Sequence, residues 1–125
     1  MLHLPKTIFM KHLLFFALLF FSFGFKAQTR LNQEEFKLKM KQPNVQILDV
    51  RTAKEVAEGK IEGAIVADYF SPKFLEMAVE KLDKKKPVLI YCAAGGRSQS
   101  AMKDLKKAGF KEVYDLVGGF DGYKP

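Results

Sequence analysis

A chain of 125 residues suffices for one modest α/β domain and not for two. Its 21 Lys and Arg against 14 Asp and Glu give a net charge of +7, and 48% of the residues are apolar, which excludes a disordered or collagen-like chain. Residues 1–27 hold seven of the 12 Phe, three basic residues and no acid. The other 98 residues carry 18 basic and 14 acidic side chains, a surplus of +4 that suits a solvated surface and not a nucleic-acid partner.

Lys6, Lys11 and His12 precede an apolar run from Leu13 to Phe25, broken only by Ser22 and Gly24. A positive segment followed by about 13 apolar residues reads as a secretory signal. A transmembrane helix needs roughly 20. Cleavage after Ala27 would leave Gln28 at the new N-terminus; cleavage after Gly24 is the other candidate. An uncleaved membrane anchor is the alternative reading. No Cys follows the run, which excludes a lipid-anchored lipoprotein. Residues 28–125 are thus expected to form a single exported domain, periplasmic or otherwise extracytoplasmic.

Leu31 to Gln42 reads as a short helix with Asn32 as N-cap and Glu34 and Glu35 in its first turn. Pro43 and Asn44 break it. Val45 to Val50 has the look of a buried strand, Thr52 to Glu58 of a small helix stopped by Gly59, and Gly63 to Ala67 of a second strand. Ser71 is the expected N-cap of the next helix, with Pro72 at its first position. Phe74, Leu75, Ala78, Val79 and Leu82 mark one apolar face. Lys84-Lys85-Lys86 suits a solvated loop at that helix's C-terminus. Pro87 to Tyr91 is apolar without alternation, as a central parallel strand requires, and ends at Cys92. A helix from about Arg97 to Ala108, closed by Gly109, and a last strand, Glu112 to Leu116, complete the chain. Alternating strands and helices imply an α/β fold with a mostly parallel sheet. Ligands of such folds sit at the carboxyl ends of the strands, where Cys92 lies.

Cys92 is the one cysteine, and both histidines, His3 and His12, fall in the first 27 residues. Disulfides, CxxC pairs and Cys/His zinc sites are therefore excluded within one chain, and neither metal nor cofactor is expected. In Cys92-Ala93-Ala94-Gly95-Gly96-Arg97-Ser98, the two glycines let successive N–H groups turn inward as an anion-binding nest. The helix that follows adds its N-terminal N–H groups and positive dipole end, and Arg97 adds a cation. All three favour thiolate over thiol. With no histidine as base, activation is expected from this static cradle.

Cys-x-x-Gly-x-Arg after Val-Leu-Ile-Tyr resembles the active-site loop of the rhodanese family. Leu48-Asp49-Val50-Arg51 with Glu55 and Gly59-Lys60-Ile61-Glu62-Gly63-Ala64 resemble the family's N-terminal signature. Ala108-Gly109-Phe110, Val113-Tyr114 and Leu116-Val117-Gly118-Gly119-Phe120 resemble its C-terminal one. The resemblance covers about residues 31–123. Lys60 stands where the family usually has histidine, and Tyr123 where it often has tryptophan. The resemblance implies a three-layer α/β/α sandwich with a mostly parallel sheet of about five strands, and a sulfurtransferase. Cys92 would take up a sulfane sulfur as a persulfide and pass it to cyanide, a thiol or an exported acceptor protein. Cys92 and Arg97 would be catalytic. Ala93, Ala94, Gly95, Gly96 and Ser98 would bind the transferred sulfur, and Asp49 and Arg51 would brace the loop. Thiosulfate, a persulfide or a polysulfide would be the donor, and the chain would work as a monomer.

Three rivals stand beside this reading: a non-catalytic rhodanese-like module that binds a partner, a persulfide carrier serving one dedicated acceptor, and a phosphatase or arsenate reductase. Phosphatase loops of related architecture run Cys-x5-Arg, whereas four residues separate Cys92 from Arg97. The shorter ring suits one sulfur atom.

Overall fold

Val88–Tyr91 shows no apolar alternation because both its faces are covered, and all four of its residues are buried. In the computed structural model, which describes residues 29–125, this strand is the centre of a five-stranded, all-parallel sheet. The readings of residues 1–27 as signal or anchor lie outside the described residues, as does Gln28. In chain order the elements are β1 (Arg30–Leu31), α1 (Gln33–Met40), β2 (Gln46–Asp49), α2 (Ala53–Ala57), β3 (Ile65–Val66), α3 (Phe74–Lys81), β4 (Val88–Tyr91), α4 (Gly96–Lys107) and β5 (Val113–Leu116), then a 3-10 turn at Phe120–Gly122. The strand order is β1-β5-β4-β2-β3. No helix among the described residues is long and apolar enough to cross a membrane.

Two apolar layers enclose the sheet. On one face α3 (Phe74, Ala78) and α4 (Ala101, Met102, Leu105) pack on Leu48, Val50, Val88, Ile90 and Val113, with Cys92 in the same cluster. On the other, Phe36 of α1 and Ile61 pack on Leu89, Tyr91 and Leu116, with Phe120 and Tyr123 at the margin. The α/β/α sandwich expected from the sequence is the fold observed.

Helix ends follow their capping chemistry. Asn32 and Thr52 each accept a bond from the N–H three residues on, and Glu35 and Glu55 return it, giving two complete capping boxes. Four expectations need correction. Leu31 belongs to β1, which pairs with β5 and was not foreseen, so α1 begins at Gln33. Ser71 does not cap α3: its Oγ accepts from Lys73 N in a preceding turn, and the helix starts at Phe74 without a side-chain cap. The apolar face of α3 is also narrower than expected. Phe74, Ala78 and Leu82 are buried, while Leu75 and Val79 are 42% and 37% exposed. The first strand after α2 shrinks to Ile65–Val66, because it pairs with β2 only at Leu48 and Asp49.

The C-terminal turn is seated on the backbone just after β4. Phe120 N–H donates to Cys92 O at 2.8 Å and Asp121 N–H to Ala93 O at 2.9 Å. Gly119 makes that approach possible. A Cβ there would lie 2.4 Å from Ala93 O and 2.5 Å from Cys92 O, and its φ of 60° with ψ of −161° is a region essentially reserved for glycine. Gly119→Ala is expected to destabilise the domain by about 2–4 kcal/mol, from steric displacement and backbone strain together. Urea denaturation measures it; a loss under about 0.5 kcal/mol, the scale of an ordinary surface substitution, would contradict this packing.

The candidate active site at Cys92

Cys92 is the first residue beyond β4, on the side of the sheet covered by α3 and α4, and is 1% exposed. Its Sγ accepts a hydrogen bond from Gly95 N–H at 3.0 Å and lies 3.4 Å from Ser98 Oγ. Gly95 adopts φ 114°, which an L side chain would resist, and so turns the chain from the sulfur into the helix that follows. Gly96 then opens α4, so Cys92 faces the start of a twelve-residue helix. The tethered carbonyls orient the rest of the loop. In a trans peptide, C=O and the following N–H point in opposite directions. With Cys92 O and Ala93 O tied to the C-terminal turn, the N–H groups of Ala93 and Ala94 point away from it.

Arg97 does not hydrogen-bond Cys92. Its two terminal nitrogens grip Glu55 of α2 at 2.8 Å each, and the guanidinium lies 5.0 Å from the centre of the exposed Phe70 ring. This bidentate pair clips α2 to the start of α4. The Arg97 charge still interacts with Cys92, and also with Asp68. Hydrogen bonding to Glu55 pushes the guanidinium further towards its charged form.

Asp49 and Arg51 form a buried ion pair at 2.7 Å, but on the opposite face of the sheet from the Cys92 side chain. Arg51 also donates to Gly59 O and lies 4.1 Å from the Phe120 ring centre, while Tyr91 donates to Asp49 and accepts from Ile61 N–H. The pair therefore touches the loop only through Tyr91, its neighbour in the chain, and Phe120, its anchor. Burial and the Asp49 carboxylate push the Tyr91 phenol well above its ordinary range. A recess of about 360 Å³ lined by Met40, Ile61, Phe120 and Tyr123 opens elsewhere and includes none of the loop residues.

Sequence reasoning missed one group. Asp115 of β5 is fully buried and accepts hydrogen bonds from Ser98 Oγ and from Arg30 Nε, the latter at 3.2 Å. Ser98 Oγ also lies 3.2 Å from Gly95 O. A line of contact thus runs from Cys92 through Ser98 to Asp115 and out to Arg30. A carboxylate inside the otherwise apolar run Val113 to Leu116 was the available signal, because a buried charge must be paired.

Glu55 supplies a pH dependence. Hydrogen bonds from Arg97, then those from Thr52 at the α2 cap, bring its carboxyl down from 4.5 to about 2. The folded-state value lies below the unfolded one. The stabilisation is therefore complete above about pH 4.5 and is lost as the pH falls from there towards 2. Glu55→Gln is expected to cost about 1 kcal/mol at neutral pH, the scale of a partly exposed pair, with the gap closing at pH 2. Urea midpoints at several pH values between 2 and 7 follow it; a gap that stayed constant would show that the charge of Glu55 is not what Arg97 needs.

Known proteins resemble this chain in both sequence and fold. The profile of the Rhodanese-like domain matches residues 32–125. The thiosulfate sulfurtransferase GlpE of Coxiella burnetii (strain RSA 493 / Nine Mile phase I) is 42% identical over 85 residues, covering 68% of this chain and 77% of that protein. The chloroplastic thiosulfate sulfurtransferase 16 of Arabidopsis thaliana is 36% identical, covering 61% of this chain and 71% of the relative. The solved structure of a rhodanese-like domain protein from Staphylococcus aureus superimposes with a TM-score of 0.68 at 26% identity, over 78% of this chain and 92% of that one. A buried cysteine at the carboxyl end of the central parallel strand, in a glycine-bent loop leading into a helix, is thus set in a chain that belongs to the rhodanese-like domain family.

Proposed function

We propose that this rhodanese-type sulfurtransferase carries a sulfane sulfur on Cys92 as a persulfide. The observation that carries the proposal is the seat of Sγ: an amide N–H at 3.0 Å, the start of a helix behind it, and a six-residue loop from Cys92 to Arg97 around it. Cys92 thiolate attacks the outer sulfur of thiosulfate, a persulfide or a polysulfide. A new S–S bond forms at Sγ, the donor's S–S bond breaks, and sulfite or a thiolate leaves with the bonding pair. A cyanide or thiolate acceptor then attacks the bound sulfur, and the thiolate of Cys92 is restored. The charged intermediate is stabilised as an oxyanion would be, by amides already in place. Ala93, Ala94, Gly95, Gly96 and Ser98 are the residues we assign to holding the transferred sulfur. Arg97, held by Glu55, keeps the loop shut and adds positive potential.

The size of the ring favours sulfur over phosphorus, since one sulfur on a side chain needs less room than a tetrahedral oxyanion. The signal-like segment 1–27 supports a further part of the proposal: the domain of residues 28–125 works outside the cytoplasm and serves small thiols or an exported acceptor protein.

Treated with thiosulfate or a polysulfide, the protein is expected to gain the mass of one sulfur, and the Cys92→Ser protein to gain none and to transfer nothing to cyanide. A wild-type protein that never gains sulfur under any of these donors, yet hydrolyses an aryl phosphate, would overturn the proposal. For the cellular location, N-terminal mass mapping of protein from its native host is expected to find a chain beginning at Gln28 or Phe25; a full-length membrane-bound product would refute export as a cleaved domain.

A further inference from the structure

Deprotonating a buried thiol requires somewhere for the proton to go, and neither histidine lies within residues 29–125. The hydroxyl that touches Cys92 Sγ belongs to Ser98, and Ser98 in turn donates to Asp115 Oδ1. Ser98, Asp115 and Cys92 are each no more than 1% exposed, so none of them meets bulk water as a ready base. Asp115 and Cys92 both face the α4 side of the sheet. Asp115 pairs in register with Ile90 of β4, and Cys92 follows two residues later on the same face. Ser98, in the first turn of α4, bridges them. We propose that Asp115 is a positioning residue that, through Ser98, accepts the Cys92 proton when the nucleophile forms.

The step balances as a double proton shift. The Cys92 S–H proton passes to Ser98 Oγ while the Ser98 O–H proton passes to Asp115 Oδ1. The thiolate then accepts a hydrogen bond from Ser98, and Asp115, now a carboxylic acid, donates to Ser98 Oγ. No charge enters or leaves the buried network. Desolvation by burial raises the Asp115 carboxyl above its ordinary value, which suits it to hold a proton. The charged groups around the network are Arg30 from β1, Arg97 from α4, Glu55 from α2 and Asp68 from the loop after β3. Arg30 meets Asp115 and tempers its basicity; Arg97 lies on the thiol side, and its charge interacts with Cys92. Glu55 and Asp68 partly offset Arg97 and have no bond to the relay.

The inference rests on Cys92 as the nucleophile, but its test reads the thiol alone and needs no sulfur transfer. If one proton is shared by Cys92 and Asp115, part of the population holds a thiolate over a range of pH in which the total proton count does not change. The rate of Cys92 alkylation by iodoacetamide, followed by intact mass, is then expected to fall with decreasing pH to a floor and not continuously. In Asp115→Asn the amide still accepts from Ser98 but cannot take the proton, so the floor should vanish. The rate would drop tenfold per pH unit and lie at least tenfold below wild type at pH 5, each rate taken relative to its own value at pH 9. Ser98→Ala keeps Cβ, cuts the relay by another route and should lose the floor as well, so it carries the test if Asp115→Asn does not fold. Ser98→Thr, which keeps the hydroxyl, should restore it. A wild-type profile without a floor, which Asp115→Asn merely displaces as loss of a neighbouring negative charge would, overturns the relay. So does a floor that persists in the folded variants. A relay confirmed in a protein that never gains sulfur would instead refute the sulfurtransfer assignment alone.

Discussion

The contact between Gly119 and the backbone of Cys92 and Ala93 is the constraint on which the site depends. The turn after β5 lies so close to the turn after β4 that no side chain fits between them. Two hydrogen bonds across this contact fix two consecutive peptide planes of the loop, and so determine where its amides point. The amide of Gly95 then meets the sulfur, and its left-handed conformation turns the chain at once into α4. The geometry at Cys92 is therefore assembled by chain segments about 27 residues apart, each rigid because it ends a strand in the middle of the sheet.

Charge is distributed around this assembly in two separate groups. On the face opposite the cysteine, Asp49 and Arg51 satisfy each other and are further held by Tyr91 and Gly59. A buried pair contributes little net stability once desolvation is counted, but removing either partner would leave an uncompensated charge. Its effect here is geometric: it sets Tyr91, and through the Arg51 guanidinium it sets the Phe120 ring, whose backbone holds the loop. On the cysteine face, Arg97 is committed to Glu55, so the cation expected to serve the thiol directly acts on it at a distance.

Much of this was legible in the sequence, for identifiable reasons. An apolar run without alternation, Pro87 to Tyr91, placed the central strand, and the glycines and Arg97 after it placed the loop. Most of the rest depends on contacts between distant segments. Two-residue strands such as Arg30–Leu31 carry no period, and this one exists only because β5 lies alongside it. Ser71 and Pro72 have the chemistry of a helix start, yet the chain turns once more before α3 forms because Ser71 Oγ is spent on Lys73. Leu75 and Val79 share the helical spacing of the core positions but lie beyond the edge of what the sheet covers. Asp115, 23 positions after Cys92, had no local pattern to mark it; only strand order brings the two together.

Parallel sheets leave open ladders at both margins, and an unpaired ladder invites strand addition from another molecule. Both margins of this sheet are formed by two-residue strands, β1 and β3. Each offers an incoming chain only a stub of backbone donors and acceptors. On the β3 side one of those acceptors, Val66 O, is already taken by the Lys81 ammonium at 2.8 Å. The fully buried strand β4 is meanwhile kept innermost, with β5 and β2 on either side. The same arrangement that sets a reactive thiol at the sheet's centre thus denies aggregation the edges from which it would grow.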